Sequence, residues 1–136
     1  DAQESRGLGD VYKRQGYLVL GATISLKEGN LEEIKALTRE LSEKRTSKQP
    51  LEFPSAGSTF KRPEGYFAGK LIMDSGLRGY QIGGARVSDK HCGFVINAGD
   101  ATAQDVVALM DHVTEVVREK YGVTLEPEVK FLGDFN

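Results

Sequence analysis

The sequence lacks several features that mark secreted, membrane-bound or nucleic-acid-binding proteins. One cysteine, Cys92, is present in 136 residues, which excludes an internal disulfide and favours a reducing compartment. No apolar run approaches the roughly 18 residues needed to cross a bilayer. The 18 Lys and Arg residues are outnumbered by 20 Asp and Glu, so the basic surface that a phosphate backbone requires is absent. We therefore expect a cytoplasmic monomer that binds neither nucleic acid nor membrane.

The length and composition predict one globular domain. Hydrophobic residues make up 39% of the chain and charged residues 28%. The first fifteen residues show no regular period and lack the charged-then-apolar order of a signal peptide. Within them, DVYKRQ resembles translated adapter read-through at the ends of assembled environmental fragments. We expect residues 1–15 to be a non-native leader or a disordered tail, and residues 16–136 to form the domain.

The first part of that domain reads as a strand followed by a helix. Residues 17–26, YLVLGATISL, are apolar and β-rich, which predicts a buried strand. Asn30 with Glu33 resembles a capping box at the start of a helix. That helix has an apolar stripe, which we expect to be buried and to end near residue 44, formed by Leu31, Ile34, Leu37 and Leu41. Pro50 cannot continue it.

The second part reads as a short helix, two strands, a long helix and a last strand. The short helix should point Phe67, Leu71 and Ile72 inward, and Gly76 should end it. The two strands follow in residues 76–99. The long helix begins at Thr102, ends before Gly122 and has an apolar face formed by Val106, Leu109, Met110, Val113, Val117 and Tyr121. The final strand is EVKFL. Helices and strands mix without a strict βαβ repeat, so the fold class is α+β, a single domain of mixed strands packed by two long helices and one short one.

Two local patterns are better explained by structure than by chemistry. The glycine cluster GLRGYQIGGA does not match G-x-G-x-x-G, so turns and close backbone packing are favoured over a nucleotide loop. His91 and Cys92 are adjacent, and neighbouring side chains on an extended chain point to opposite faces. A structural pair is therefore favoured over a metal site or a Cys–His nucleophile.

Glu126 and Glu128 flank Pro127 just before the predicted last strand. In an extended segment, residues two apart face the same way. A solvated strand entrance is the favoured interpretation. A functional role would require one glutamate to meet a partner acid or hydroxyl.

The strongest local candidate is PSAGSTFKRPEG, residues 54–65. From Ser42 to Arg62 there are five basic residues against two acidic ones, Glu43 and Glu52, an excess of three positive charges in 21 residues. Such an excess suits a phosphate-bearing small molecule better than a polymer. Prolines stiffen both ends of the segment, and Gly57 would present Ser58 on a constrained turn. A plain structural turn without a ligand is the alternative interpretation of this segment.

Three longer segments resemble a known family. PSAGSTFKRPEGYFAGKLI, GLRGYQIGGARVSDKHCGFVINAGDATAQDV and GVTLEPEVKFLG are similar to successive parts of the UDP-N-acetylenolpyruvoylglucosamine reductases, or UDP-N-acetylmuramate dehydrogenases. The resemblance runs from about Tyr17 to Gly133 and corresponds to the C-terminal substrate-binding domain. PSAGS and FKRP resemble the shorter of the two classes of this enzyme.

The resemblance implies an activity in peptidoglycan synthesis. Members of the family use NADPH to reduce FAD, and the reduced flavin delivers hydride to UDP-N-acetylglucosamine enolpyruvate, leaving a carbanion that must be protonated. By resemblance Ser58 is the proton donor and Glu128 assists it, with Glu126 a weaker match. Lys48, Lys61 and Arg62 fall at or near positions that hold the substrate's diphosphate and carboxylate.

The resemblance does not extend to the flavin-binding part of the family. We therefore expect the chain to contain the substrate and proton-donor half of the site, and neither to retain FAD nor to turn over alone. The alternatives are a stand-alone binding module for a UDP-sugar or another phosphorylated small molecule, and a purely structural domain.

Overall fold

The computed structural model describes residues 20–133. These residues form two long helices, one short helix and a three-stranded antiparallel sheet, which confirms the α+β class. The described part of the chain divides into two units, with the boundary between Lys35 and Ala36. In the first unit, residues 20–30 have no regular structure and a helix begins at Leu31. The sheet and the core lie in the second unit.

The elements follow in the order α1 (Leu31–Lys48), α2 (Ala68–Asp74), β1 (Gln81–Ile82), β2 (Ala85–Val87), β3 (Val95–Asn97) and α3 (Ala103–Tyr121). The strands lie in the order β1-β2-β3, and β2 pairs with β3 in the register Arg86↔Ile96. None of the helices in the described part of the chain is long and apolar enough to cross a bilayer.

Helix α3 provides much of the core, and the sequence predicted it well. It packs against β1, β2 and α2, and its buried side chains are Leu109, Met110, Val113 and Val117. The Thr102 hydroxyl accepts the Asp105 N–H at 3.1 Å, and the Asp105 carboxylate accepts the Thr102 N–H at 2.9 Å, which is the capping box. Gly122 ends the helix with φ +68°. Tyr121 is the exception, because its side chain is exposed.

The glycine cluster serves close packing around the start of α3. Gly83 and Gly84 form the turn between β1 and β2, and the Gly84 N–H donates to the Asp105 carboxylate at 3.3 Å. Hydrogen bonds from Thr102 and Gly84 hold the pKa of Asp105 below its usual value. A Cβ atom on Gly84 would overlap the carbonyl oxygen of Gly99. The structural interpretation of these glycines is confirmed.

The predictions of a first and a last strand are both wrong for the described residues. Residues 17–19 lie outside them, and residues 20–30 form no strand, with Leu20 90% and Leu26 85% exposed. Residues 128–132 form no strand either; the segment before them makes an isolated bridge, Phe60↔Pro127. An apolar, β-rich composition cannot form a strand without a neighbouring strand that completes its ladder, and no described strand pairs with residues 20–30.

Helix α1 begins as predicted but differs in length and burial. The Asn30 side chain accepts the N–H groups of Glu32 and Glu33 at 2.9 and 3.2 Å. The helix ends at Lys48 rather than near residue 44, because residues 44–48 are compatible with a helix and only Pro50 is not. None of its residues is buried, and the four apolar stripe residues are 50–63% exposed.

Candidate active site

Residues 54–62 run alongside β3 as an irregular extension of the sheet. The Asn97 N–H donates to the Pro54 carbonyl at 2.9 Å, and the Thr59 N–H donates to the Gly93 carbonyl at 2.9 Å. These contacts hold one end of the segment against β3 and the other end against the turn that precedes β3. The predicted constrained turn around Ser58 is therefore a segment bonded to the sheet on either side of that residue.

The same segment is bonded on its other side to residues 126–128. The Glu128 N–H donates to the Thr59 carbonyl at 2.9 Å, and the Lys61 N–H donates to the Glu126 carbonyl at 2.8 Å. Residues 126–128 are far from residues 59–61 in sequence, so this backbone pairing brings Glu128 to the position of Ser58.

Ser58, Arg62 and Glu128 border one cavity of about 540 Å³. Four cationic side chains line it, namely Arg62, Lys70, Arg78 and Lys90. Among residues 20–133, Glu128 is the one acidic residue on this lining. The cavity thus combines a hydroxyl, a carboxylate and an excess of positive charge.

The Ser58 hydroxyl is available to a ligand. Its side chain is exposed, and it makes no hydrogen bond to another residue within the part of the chain that the structure describes. Gly57 before it has φ +88°, a conformation that favours glycine. The backbone, rather than a side-chain partner, positions this hydroxyl.

Arg62 is held over an aromatic ring. Its guanidinium carbon lies 4.0 Å from the centroid of Phe67, and its Nε donates to the Tyr66 carbonyl at 3.3 Å. Phe67 was expected to point into the core, but it is 61% exposed and also borders the cavity. The expectation was wrong because this ring supports a cation at the rim of the cavity instead of filling the core.

Two of the lining cations are already paired with carboxylates. Lys70 lies 2.7 Å from Asp74, one turn along α2, and that partner raises the pKa of Lys70. Lys90 lies 2.9 Å from Glu52, and the pKa of Glu52 is lowered by its hydrogen bond from Lys90. Their charges are largely neutralised by these partners.

The two arginines are not neutralised in this way. Arg78 donates to the Asp89 backbone carbonyl at 2.7 Å and to the Met73 sulfur at 3.0 Å. Among residues 20–133, neither Arg62 nor Arg78 has a carboxylate within ion-pair distance. They are therefore the cations of the cavity best able to bind an anionic ligand.

His91 and Cys92 both border the cavity, so the expectation of opposite faces was wrong. The chain turns here instead of staying extended, and the Phe94 N–H donates to the His91 carbonyl at 3.0 Å. The His91 Nδ1 accepts the Gly93 N–H at 3.0 Å, which leaves Nε2 as the ring nitrogen that can contact a ligand. Burial raises the pKa of the Cys92 thiol, which disfavours a nucleophilic thiolate.

The remaining predicted residues lie elsewhere. Lys61 forms an ion pair with Glu126 at 3.0 Å, and both border a second cavity of about 300 Å³. Arg62 borders both cavities. Lys48 lies in the last turn of α1 and borders neither of them.

Three basic lining residues were not predicted from the sequence, namely Lys70, Arg78 and Lys90, and His91 was interpreted as structural only. The charge count covered only residues 42–62. These three basic residues lie inside the segments quoted for the family resemblance, so a count of basic residues over those segments would have included them.

Comparison with known proteins assigns the chain to a family. Residues 49–132 match the family model for the C-terminal domain of UDP-N-acetylenolpyruvoylglucosamine reductase. The chain belongs to this family. The match includes every residue of the 540 Å³ cavity, whereas Lys48 lies just before it.

Individual members of this reductase family are similar to this chain in sequence and in structure. The UDP-N-acetylenolpyruvoylglucosamine reductases of Lachnoclostridium phytofermentans and Agathobacter rectalis are 64% and 59% identical over 124 and 125 residues. These matches cover 91% and 92% of this chain and 40% of each relative. The crystal structure of the Thermus caldophilus reductase matches with a TM-score of 0.60 at 38% identity, over 76% of this chain and 37% of that one. The chain thus spans about 40% of the length of the curated relatives it matches.

Proposed function

We propose that the chain is the substrate-binding and proton-donating part of a UDP-N-acetylenolpyruvoylglucosamine reductase, which forms UDP-N-acetylmuramate from UDP-N-acetylglucosamine enolpyruvate in cytoplasmic peptidoglycan synthesis. The observation that supports it most directly is the meeting of Ser58, Arg62 and Glu128 at one cationic cavity. Family membership makes this activity the first one to test.

The cavity suits an anionic nucleotide sugar. Its volume of about 540 Å³ lies within the range of roughly 300–1,000 Å³ that is usual for small-molecule sites. The proposed substrate has a diphosphate and a carboxylate, and arginine binds both groups through paired N–H donors. Arg62 and Arg78 are the proposed binding groups, and the His91 ring borders the same cavity. The predicted roles of Lys48 and Lys61 have less structural support.

Ser58 is the proposed proton donor. A serine hydroxyl is a weak acid, so it can protonate only a strongly basic, short-lived centre such as the carbanion expected in this reaction. As the substrate's C–H bond forms, the Ser58 O–H bond breaks. Glu128 borders the same space, and in its protonated form it is proposed to transfer its proton to the resulting Ser58 alkoxide and to regain one from water. Backbone pairing on both sides of Ser58 fixes its position, which lowers the entropic cost of the step.

The complete reductase is proposed to use FAD and NADPH, but the described residues do not fit the flavin. Holding its diphosphate at a helix N-terminus would require a glycine-rich turn that leads into a helix. The glycine cluster of residues 76–84 instead ends α2 and turns between β1 and β2 against Asp105. We therefore assign proton transfer, and no hydride step, to these residues, and we infer that the chain does not turn over alone.

The decisive experiment uses a chimera in which residues 20–133 replace the matching segment of the Lachnoclostridium phytofermentans relative. We expect NADPH oxidation that depends on UDP-N-acetylglucosamine enolpyruvate. Ser58→Ala should lower kcat at least about 100-fold, since a positioned acid contributes roughly 10²- to 10⁴-fold. Reduction of the flavin by NADPH, followed anaerobically by absorbance, should be unchanged.

Ser55→Ala is the matched control, because Ser55 lies in the same segment, does not border the 540 Å³ cavity and makes only a long contact, its hydroxyl accepting the Gly57 N–H at 3.4 Å. Its turnover should stay within about threefold of the unsubstituted chimera, as expected for a side chain outside the site. A chimera without substrate-dependent NADPH oxidation would contradict the proposed reaction. Equal turnover in Ser58→Ala and the unsubstituted chimera would contradict the proton-donor role alone.

A stand-alone binding module is the second candidate, supported by a cavity whose lining lies entirely within residues 58–128. Calorimetric measurement of substrate binding by the chain alone, together with the activity of the chimera, distinguishes the binding module from the reductase. Binding of UDP-N-acetylglucosamine enolpyruvate together with an inactive chimera would favour the module. An active chimera would favour the reductase.

A further inference from the structure

The segment that presents Ser58 shifts by one residue in its pairing with residues 93–96. Ser55 pairs with Ile96 in an antiparallel bridge. In an unbroken ladder this pairing would place residue 58 opposite Gly93. The Gly93 carbonyl instead accepts the N–H of Thr59, at 2.9 Å. Between these contacts the segment has three residues, 56–58, where the facing chain has two, 94–95, and one extra residue on one side of an antiparallel pair is a β-bulge.

The bulge explains how Ser58 leaves the sheet. The extra residue lies within residues 56–58, and Gly57 has φ +88° there. A residue in regular pairing would be bonded to β3 through its backbone, whereas Ser58 is exposed and borders the cavity. The hydroxyl is directed by an insertion into the ladder rather than by a contact of its own.

A bulge of this kind leaves an amide without its regular partner, and Thr59 supplies a replacement. In the unbroken register the Val95 N–H would face the carbonyl of Ala56. It donates instead to the Thr59 hydroxyl at 2.8 Å. Both residues are buried, and Thr59 is only 3% exposed. Without this hydroxyl a buried N–H would be left unpaired, which is strongly unfavourable.

Thr59 also connects the bulge to the other half of the proposed site. Its carbonyl accepts the Glu128 N–H at 2.9 Å, while its own N–H donates to Gly93 on the opposite side. Thr59 thus bonds β3 and the segment of Glu128 at the same time, directly next to Ser58. Its side chain does not border the 540 Å³ cavity.

We propose that Thr59 is a positioning residue of the site. Its hydroxyl closes the bulge that projects Ser58 into the cavity, and its carbonyl holds Glu128 beside it. The proposal rests on the proposed roles of Ser58 and Glu128, but its structural part can be tested without them.

The structural test is residue-resolved hydrogen exchange on the chimera with Thr59→Val or Thr59→Ser. Valine keeps the shape and removes the hydroxyl, so the Val95 amide should exchange at least about tenfold faster, as expected for a lost buried hydrogen bond. Serine keeps the hydroxyl and should preserve protection. The Asn97 amide, bonded to the Pro54 carbonyl outside the bulge, should be protected equally in all three proteins.

The functional test is the steady-state kinetics of the same variants. Thr59→Val should lower kcat by about 10- to 100-fold, the effect of a displacement of about 1 Å at a reacting group. KM for the nucleotide sugar should stay within about twofold, since the arginines are untouched, and flavin reduction by NADPH should not change. Thr59→Ser should restore most of the kcat. A purely structural role would not produce this split between kcat and KM or the recovery with serine.

Several results would overturn the proposal. They are normal Val95 protection in Thr59→Val, a kcat equal to that of the unsubstituted chimera, a rise in KM with kcat intact, or a Thr59→Ser variant as slow as Thr59→Val. An unsubstituted chimera that binds the nucleotide sugar but never turns it over would count against the proposed function instead. In that case Val95 exchange still supports or overturns the role of Thr59 in closing the bulge.

Discussion

Lys61 and Arg62 are neighbouring cations that the structure places in different surroundings. Lys61 is paired with Glu126 at 3.0 Å and borders the 300 Å³ cavity. Arg62 lies over the ring of Phe67 and also borders the 540 Å³ cavity that contains Glu128. Successive side chains of an extended segment point to opposite faces, so one residue of offset is enough to separate them.

From this difference we expect a cation's partner, rather than its presence, to decide whether it can bind a ligand. An exposed lysine paired with a carboxylate offers an incoming anion little net charge, and the ligand must first displace Glu126. An arginine supported by a ring and a backbone carbonyl keeps its charge and most of its donors. The facing segment shows the same division, because Glu126 serves the ion pair and Glu128 borders the cavity with Ser58.

The largest expected effect is on kcat, and it should distinguish Glu128 from Glu126. Glu128→Gln in the chimera keeps the size of the side chain and removes its proton transfer, so kcat should fall by about 10²- to 10⁴-fold. Glu126→Gln is the matched control and should leave kcat within about threefold, because it alters only an exposed ion pair. Steady-state NADPH oxidation measures both. Equal losses in the two variants would mean that the division between the cavities has no functional meaning.

A smaller effect, on KM for the nucleotide sugar, is expected when Arg62 is replaced. Arg62→Ala should raise KM for UDP-N-acetylglucosamine enolpyruvate by about 10- to 100-fold, the range expected for losing hydrogen bonds to a charged group. Arg62→Lys should recover only part of it, since an ammonium group cannot form the paired donor contact. Initial rates over a range of substrate concentrations provide the measurement. An unchanged KM in Arg62→Ala would remove Arg62 from the proposed binding groups.

The two long helices show what periodicity can and cannot predict. The three- and four-residue spacing of apolar residues identified α1 and α3 equally well. Four α3 residues are buried, whereas α1 buries none in the described structure. The spacing determines which side chains share a helix face, but burial depends on another surface lying against that face. The same limit explains the absent strand at residues 20–26.

The sequence predicted the residues of the candidate site that belong to short, recognisable motifs. The charge excess and the quoted motifs identified Ser58, Arg62 and Glu128, and the structure places all three at one cavity. The sequence could not predict that Arg78 and His91 border this cavity, because their positions depend on the turn at residues 92–93 and on contacts between distant segments. The bulge at residues 56–58 depends on the register against β3, which no local pattern specifies.

The smallest expected effect is that of Lys61, and it tests the comparison most directly. Lys61→Ala removes a charge next to Arg62, and a simple count of basic residues would predict similar losses for the two substitutions. The structure predicts otherwise, because the charge removed is already opposed by Glu126 at 3.0 Å. KM should change by less than about threefold, and the free energy of unfolding in urea by less than about 1 kcal/mol, as is typical of an exposed ion pair. A tenfold rise in KM would show that the substrate displaces Glu126 and recruits Lys61, and the second cavity would then belong to the site.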